Sequence, residues 1–255
     1  MFQIAPLPNI INQDQDKAAL RSRRISILLD FLLPILILGL GTALIRFYNL
    51  DLKWGARFFD AAGMWLGKKI PAFDLIYDYG KLPALLTAIA GLGVCITGFA
   101  LPRLKQWRRS SLFLVLAMLL GPGLLVNAVL KEYWGRPRPR NVAEFNGRYA
   151  FEEPLKIDLS SPGQSFPSGH ASMGFYFFTL HFLTRKRNRR TAAWLFLLGL
   201  AYGVAMGIVR MAQGGHFASY VLWSGGLTWL VCAALYYLMR LDKTPGLANI
   251  DKEAL

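Results

Sequence analysis

Six runs of apolar residues, at about 27–47, 82–101, 110–130, 171–184, 191–209 and 217–239, alternate with short connections rich in Lys, Arg, Gly and Pro. Within the runs the apolar positions are continuous rather than spaced as the stripe of an amphipathic helix, which marks helices with apolar material on every side. Most runs reach the roughly 20 residues that cross about 30 Å of hydrocarbon. The pattern predicts an all-α, polytopic membrane protein with six transmembrane helices. The fourth run has only about 14 residues, short of a full crossing at about 1.5 Å per residue, so its start is expected below the membrane surface in a pocket walled by protein. In the fifth, Gly199, Gly203 and Gly207 recur every fourth residue and let another helix approach closely.

The polar ends divide the chain into an N-terminal tail at 1–26, a membrane domain at 27–240 and a C-terminal tail at 241–255. The first run starts too late for a signal peptide, lacks a small-residue cleavage pattern and is followed by further spans, so it reads as an uncleaved helix. It holds Asp30, an ionisable residue inside a span and so a functional candidate, although its nearness to the helix end favours plain solvation. Basic residues gather in alternate connections: Lys17, Arg21, Arg23 and Arg24; Arg103, Lys105, Arg108 and Arg109; Arg185, Lys186, Arg187, Arg189 and Arg190. On the positive-inside rule both termini are cytoplasmic. On the other side, charges apart from one basic cluster mingle with Asp51, Asp60, Asp74, Asp78, Glu144, Glu152, Glu153 and Asp158. The first outer connection, 48–81, carries Trp54, Phe58, Phe59, Trp65 and Phe73, which suit an interfacial helix at headgroup level.

Composition agrees with the pattern: 54% of residues are hydrophobic and the mean hydropathy is +0.34. A net charge of +14 would invite a nucleic-acid reading, but the basic residues lie in short blocks between apolar runs with no basic domain of their own. Cys95 and Cys232 both fall inside apolar runs without a neighbouring Cys or His at metal-ligand spacing, and read as small core residues.

Three polar clusters stand at the outer ends of helices three to six. The first holds Lys131, a point charge, and Arg138, a planar fork able to grip two oxygens of a phosphoryl group. Between them Arg136-Pro137-Arg138-Pro139 favours extended backbone that holds Arg138 rigidly; taken alone, the stretch fits an ordinary basic membrane flank equally well. The second is Ser165-Phe166-Pro167-Ser168-Gly169-His170, a turn into the fourth helix that offers backbone N–H groups and the Ser168 hydroxyl to an anion. His170, one step inside, is placed to give a proton to a leaving oxygen; an isolated match of this kind is more simply a helix cap. The third runs from Arg210 through Gly214 and Gly215 to His216, whose imidazole beside a bound phosphate can attack phosphorus. His181, far from these turns, reads as a satisfied structural residue.

Together, Lys131-x6-Arg138-Pro139, Pro167-Ser168-Gly169-His170 and Arg210-x5-His216 resemble the three signature motifs of the type 2 phosphatidic acid phosphatase superfamily, the lipid phosphate phosphatases. The resemblance spans helices three to six. It implies a polar active site at the outer membrane interface in which His216 is the nucleophile and His170 the acid and then base. Lys131, Arg138, Ser168, Gly169 and Arg210 hold the phosphate. No cofactor is implied, and positive side chains serve where a metal otherwise would.

The family pattern continues from the nucleophilic histidine through three residues to an aspartate, and here that position is Tyr220. An aspartate one helical turn on would fix the imidazole tautomer; a tyrosine hydroxyl can accept the same bond but brings no charge. The substitution leaves three readings open: another group orients the histidine, the site is impaired, or the chain only binds phospholipid. The leading expectation is a phosphatase at the outer face of a bacterial inner membrane. Its substrate is a lipid phosphomonoester or pyrophosphate: lipid A, isoprenyl pyrophosphate, phosphatidylglycerol phosphate or phosphatidate. Passing the phosphoryl group to a second lipid is the catalytic alternative.

Overall fold

A computed structural model describes residues 10–157 and 163–243; Asp158, the first nine residues and residues 244–255 of the second tail lie outside them. Among the described residues the chain is helical, with two isolated bridges, Phe59 to Trp65 and Val142 to Tyr149, and no longer strand. The helices are α1 (Ile10–Phe47), α2 (Leu50–Arg57), α3 (Pro71–Tyr79), α4 (Leu82–Ala100) and α5 (Arg108–Met118). A π-helical stretch, Leu119–Leu130, continues α5 into α6 (Lys131–Tyr133). After a long connection come α7 (Gly169–Phe175), α8 (Phe178–Thr184), α9 (Arg189–Ala212) and α10 (Ala218–Leu238).

The all-α membrane fold holds, and among the described residues five helices have the length and apolarity of a span: Leu20–Phe47, Pro71–Ala100, Pro102–Tyr133, Arg189–Ala212 and Ala218–Leu238. The fourth run forms the short pair α7 and α8, which does not qualify by length. The reason lies in its surroundings. Ala171, Ser172, Gly174, Phe175, Phe178, Thr179 and Phe182 are all buried, so this pair is enclosed by protein and need not match the thickness of a lipid layer. Gly199 and Gly203 of α9 make that enclosure tight, since a Cβ at either position would meet Phe178 or the Phe175 ring. Gly207 instead faces Val221 of α10. By contrast α1 leaves Leu28, Leu32, Leu36, Leu40 and Leu44 exposed, the surface of a lipid-facing helix. It begins at Ile10, inside the segment expected to be a tail, and its 38 residues run about 57 Å.

One end of the bundle is tied by ion pairs. Asp30 is not merely solvated: its carboxylate accepts from Arg185 at 2.7 Å and from the Tyr237 hydroxyl at 2.6 Å, while the Trp229 indole donates to its carbonyl at 2.9 Å. Arg23 meets Asp242 at 2.5 Å, Lys186 bonds the Asp242 carbonyl, and Arg109 bonds that of Met239. The basic connections therefore gather at a single end. His181 is satisfied by the Ala192 carbonyl at 2.9 Å, as its apolar setting predicts.

At the opposite end the connections between helices fold into a second core. Trp65, Val142, Phe145, Phe166, Phe217 and Tyr220 are buried together, with Phe58 and Phe59 packed against them. Those aromatics roof the bundle, packed into it rather than laid on its surface, while Trp54 stays largely exposed, at 48%. Arg136, fully buried, clamps the roof: it bonds Asp51 at 2.9 Å, Ser219 Oγ at 2.7 Å and the Glu152 carbonyl at 2.8 Å. Asp51 in turn accepts the Ser219 N–H at 2.8 Å, anchoring the start of α10. The result is a rigid frame around the three polar clusters.

Candidate active site

Each cluster is delivered by a helix end. Lys131 closes the long helix that began at Pro102, and Arg138 follows on extended backbone with φ −76° and ψ 153°, the conformation that its neighbouring prolines dictate. Ser168 is the N-cap of α7, its hydroxyl accepting the Ala171 N–H at 3.4 Å. Arg210 lies in the last turn of α9. Gly214 adopts φ +63° against the face of Trp65, and at Gly215 a Cβ would collide with the Arg210 guanidinium, so this Gly-Gly turn is what lets His216 double back over the arginine.

Lys131, Arg138, Gly169, His170, Arg210 and His216 line one cavity of about 520 Å³. Ser168 does not reach it; fully buried, its hydroxyl serves the helix cap. The cavity walls also carry residues that no motif pointed to: Lys68, Asp74, Tyr77, Lys81, Asn127, Arg140 and Gln213. Cations thus outnumber acids, and Asp74 is the one carboxylate among the lining residues. Arg210 is held by Gln213 Oε1 at 2.6 Å, and its buried Nε has no partner among the described residues, a donor available to an anion oxygen.

Position 220 does not orient the histidine. The Tyr220 hydroxyl donates to the Pro137 carbonyl at 2.6 Å, and the ring only edges His216, 5.8 Å between centroids. Ser165 takes the place instead. Its hydroxyl donates to the Gly215 carbonyl at 3.0 Å, which turns an oxygen lone pair towards His216 Nδ1 at 3.3 Å. That pairing favours the Nδ1–H tautomer and leaves Nε2 with its lone pair free. Ser165 lies in the second polar cluster, two residues before the Pro167-Ser168-Gly169-His170 motif, and a small hydroxyl beside Phe and Pro was the signal available for it.

The field in the cavity keeps both imidazoles neutral. Burial, reinforced by the charges of Arg210, His170, Arg138 and Lys131, holds His216 well below the ordinary histidine range. Burial first and Arg210 second bring His170 down to about 4, with Lys81 and Lys131 adding to the effect and the Tyr77 carbonyl opposing it. A neutral His216 is a competent nucleophile. An anion that offsets the surrounding cations would raise His170 towards the protonated form, in which it can give up a proton.

Residues 110–243 match the family model described as the PAP2 superfamily. The chain is 32% identical over 197 residues to a protein of Francisella tularensis subsp. novicida named lipid A 4'-phosphatase, a match covering 74% of this chain and 88% of that one. Proteins of the same name from Rhizobium leguminosarum and Rhizobium etli are 37% and 34% identical over 123 residues. Those two matches cover 48% of this chain and 51% and 47% of theirs. No solved structure matches the chain.

Proposed function

The chain belongs to the PAP2 superfamily, and from that premise we propose that it is a membrane phosphatase that removes a phosphate from the sugar headgroup of lipid A by way of a phosphohistidine. The observation that carries the reading is the meeting of two imidazoles and the Lys131, Arg138 and Arg210 cations in one cavity, on a chain that aligns with nearly the whole of a lipid A 4'-phosphatase. Lys68, Lys81 and Arg140 line the same cavity beyond the cations assigned to the phosphate. Their surplus positive charge suits a large headgroup with a second anionic group better than a lone phosphomonoester.

In the first step the Nε2 lone pair of His216 forms a bond to phosphorus while the bond from phosphorus to the sugar oxygen breaks. His170, protonated once the substrate dianion is seated, gives its proton to that oxygen. Lys131, Arg138, Arg210 and the Gly169 N–H stabilise the charge spread over the equatorial oxygens. In the second step water attacks phosphorus, His170 takes its proton, and the bond from phosphorus to Nε2 breaks to release inorganic phosphate. Positive side chains supply the stabilisation that a metal ion gives elsewhere. The site faces the periplasm and the termini the cytoplasm, a reading supported by the basic connections lying at the end opposite the cavity.

Purified protein in detergent, incubated with lipid A and with the other lipid phosphates, tests the proposal. Lipid A is expected to lose one phosphate as free inorganic phosphate, with fragmentation by mass spectrometry locating the loss, and vanadate but not a chelator is expected to inhibit. Turnover of phosphatidate or isoprenyl pyrophosphate in preference to lipid A would refute the substrate assignment. The phospholipid-binding reading is disfavoured by Ser165, which provides the orienting partner that Tyr220 does not.

A further inference from the structure

Helix α3 opens the span Pro71–Ala100, before the residues 110–243 that match the family, yet two of its side chains line the cavity. Asp74 and Tyr77, three residues apart, share one face of the helix. The Tyr77 ring stacks on the His170 imidazole with 4.6 Å between centroids and 16° between planes, and the Tyr77 carbonyl takes His170 Nε2 at 3.2 Å. The same ring lies 4.4 Å from the Arg210 guanidinium carbon. Asp74 accepts from Gln213 at 3.0 Å, and Gln213 accepts from Arg210 at 2.6 Å. The end of α3 is fixed to α9 by the Tyr202 hydroxyl, which donates to the Gly80 carbonyl at 2.7 Å.

Resting on the phosphatase reading, we propose that Tyr77 is a positioning residue of the active site, a rigid plate that sets the acid His170 and the phosphate-gripping Arg210 relative to each other. Its carbonyl engages one ring nitrogen of His170, so Nδ1 is the nitrogen presented to the leaving oxygen. This is the same division of labour by which a catalytic histidine is oriented through one nitrogen and works through the other. The aromatic face keeps the imidazole in plane, and its attraction for a guanidinium holds Arg210 over the cavity. A misplacement of about 1 Å at such a site costs on the order of a hundredfold in rate. The hydroxyl has no part in this, so the aromatic ring, not the phenol, is the feature required.

The test compares Tyr77→Phe with Tyr77→Leu, and with Tyr77→Met should the leucine variant fail to fold, on two substrates of different leaving groups. Tyr77→Phe is expected within about threefold of the parent on both. Tyr77→Leu is expected to lose about 10- to 100-fold in kcat on a lipid phosphate, whose alkoxide needs a proton. On p-nitrophenyl phosphate, whose leaving group needs none, the loss in the burst of p-nitrophenolate, which reads the first step alone, should stay below about fivefold. Equal losses on both substrates would make Tyr77 a mere wall residue and overturn the proposal, as would a fall of more than about tenfold in Tyr77→Phe. Orthovanadate binding, read by thermal shift without turnover, keeps this result separate from the fate of the phosphatase reading. Affinity about tenfold weaker in Tyr77→Leu but retained in Tyr77→Phe supports the plate, and equal affinities in all forms contradict it.

Discussion

Removing the Ser165 hydroxyl isolates the way this chain orients His216, the proposed nucleophile. Ser165 is 1% exposed, and in Ser165→Ala both His216 Nδ1 and the Gly215 carbonyl lose a partner that water cannot easily replace. An unpaired buried group costs about 1–3 kcal/mol, and the tautomer with the proton on Nε2, useless for attack, gains by comparison. If the active tautomer bears that penalty, kcat falls by about 5- to 150-fold. Loss of a charged orienter in a catalytic triad costs about 10⁴, and the smaller figure here reflects a partner that aligns the imidazole without adding charge. The assay is single-turnover transfer of labelled phosphate from a lipid substrate, with KM measured alongside. Ser165 does not line the cavity, so KM is expected to stay within about twofold while the transfer rate drops. An unchanged transfer rate would remove Ser165 from this role, and a KM effect equal to the rate effect would show that it acts on binding.

Tyr220→Asp restores the family's carboxylate in letter but replaces a fully buried ring that packs on Phe166 and Phe217 and faces Arg136 at 4.7 Å. A stability loss of about 3–5 kcal/mol by denaturant titration and no rise in kcat are expected, and a tenfold gain in kcat would contradict this. Arg136→Leu strands Asp51 in the roof and is expected to cost about 3–5 kcal/mol, with a fall in the unfolding midpoint as the readout. Sulfate, a dianion that does not titrate near neutrality, is expected to bind with net uptake of protons at pH 6.5. The sign follows from His170, which is neutral there because its value sits near 4 in the empty site and rises when an anion offsets Arg210, Lys81 and Lys131. Calorimetry in two buffers of different ionisation enthalpy measures it, and zero uptake or release would be inconsistent with the assignment.

The residues legible in the chain are those whose meaning is local. Lys131, Arg138, His170, Arg210 and His216 stand at helix ends beside Pro and Gly, and apolar runs of known length decide which end of the bundle they share. Tyr77, Asp74 and Gln213 gave no such signal, because their work depends on α3 docking against α9 from a distant part of the chain. Asp30 is similar: its partner Arg185 lies 155 residues away, so solvation is the natural inference until the two helices meet. The short fourth run shows the limit of counting spans. Its length is set by neighbours that enclose it and not by the membrane. Tyr220 is instructive in the opposite way, since the departure from the family pattern is visible in the residues but the compensating hydroxyl of Ser165 appears only in three dimensions.

The account stands on His216 as the group that takes the phosphoryl. Acid-labile, base-stable label recovered after a rapid quench with a ³²P-labelled lipid phosphate, and mapped by peptide, tests this directly. The label is expected on His216, to be absent from His216→Ala, and to persist longer in His170→Ala, where the base for the second step is missing. Label on another residue, or full turnover by His216→Ala, would contradict it.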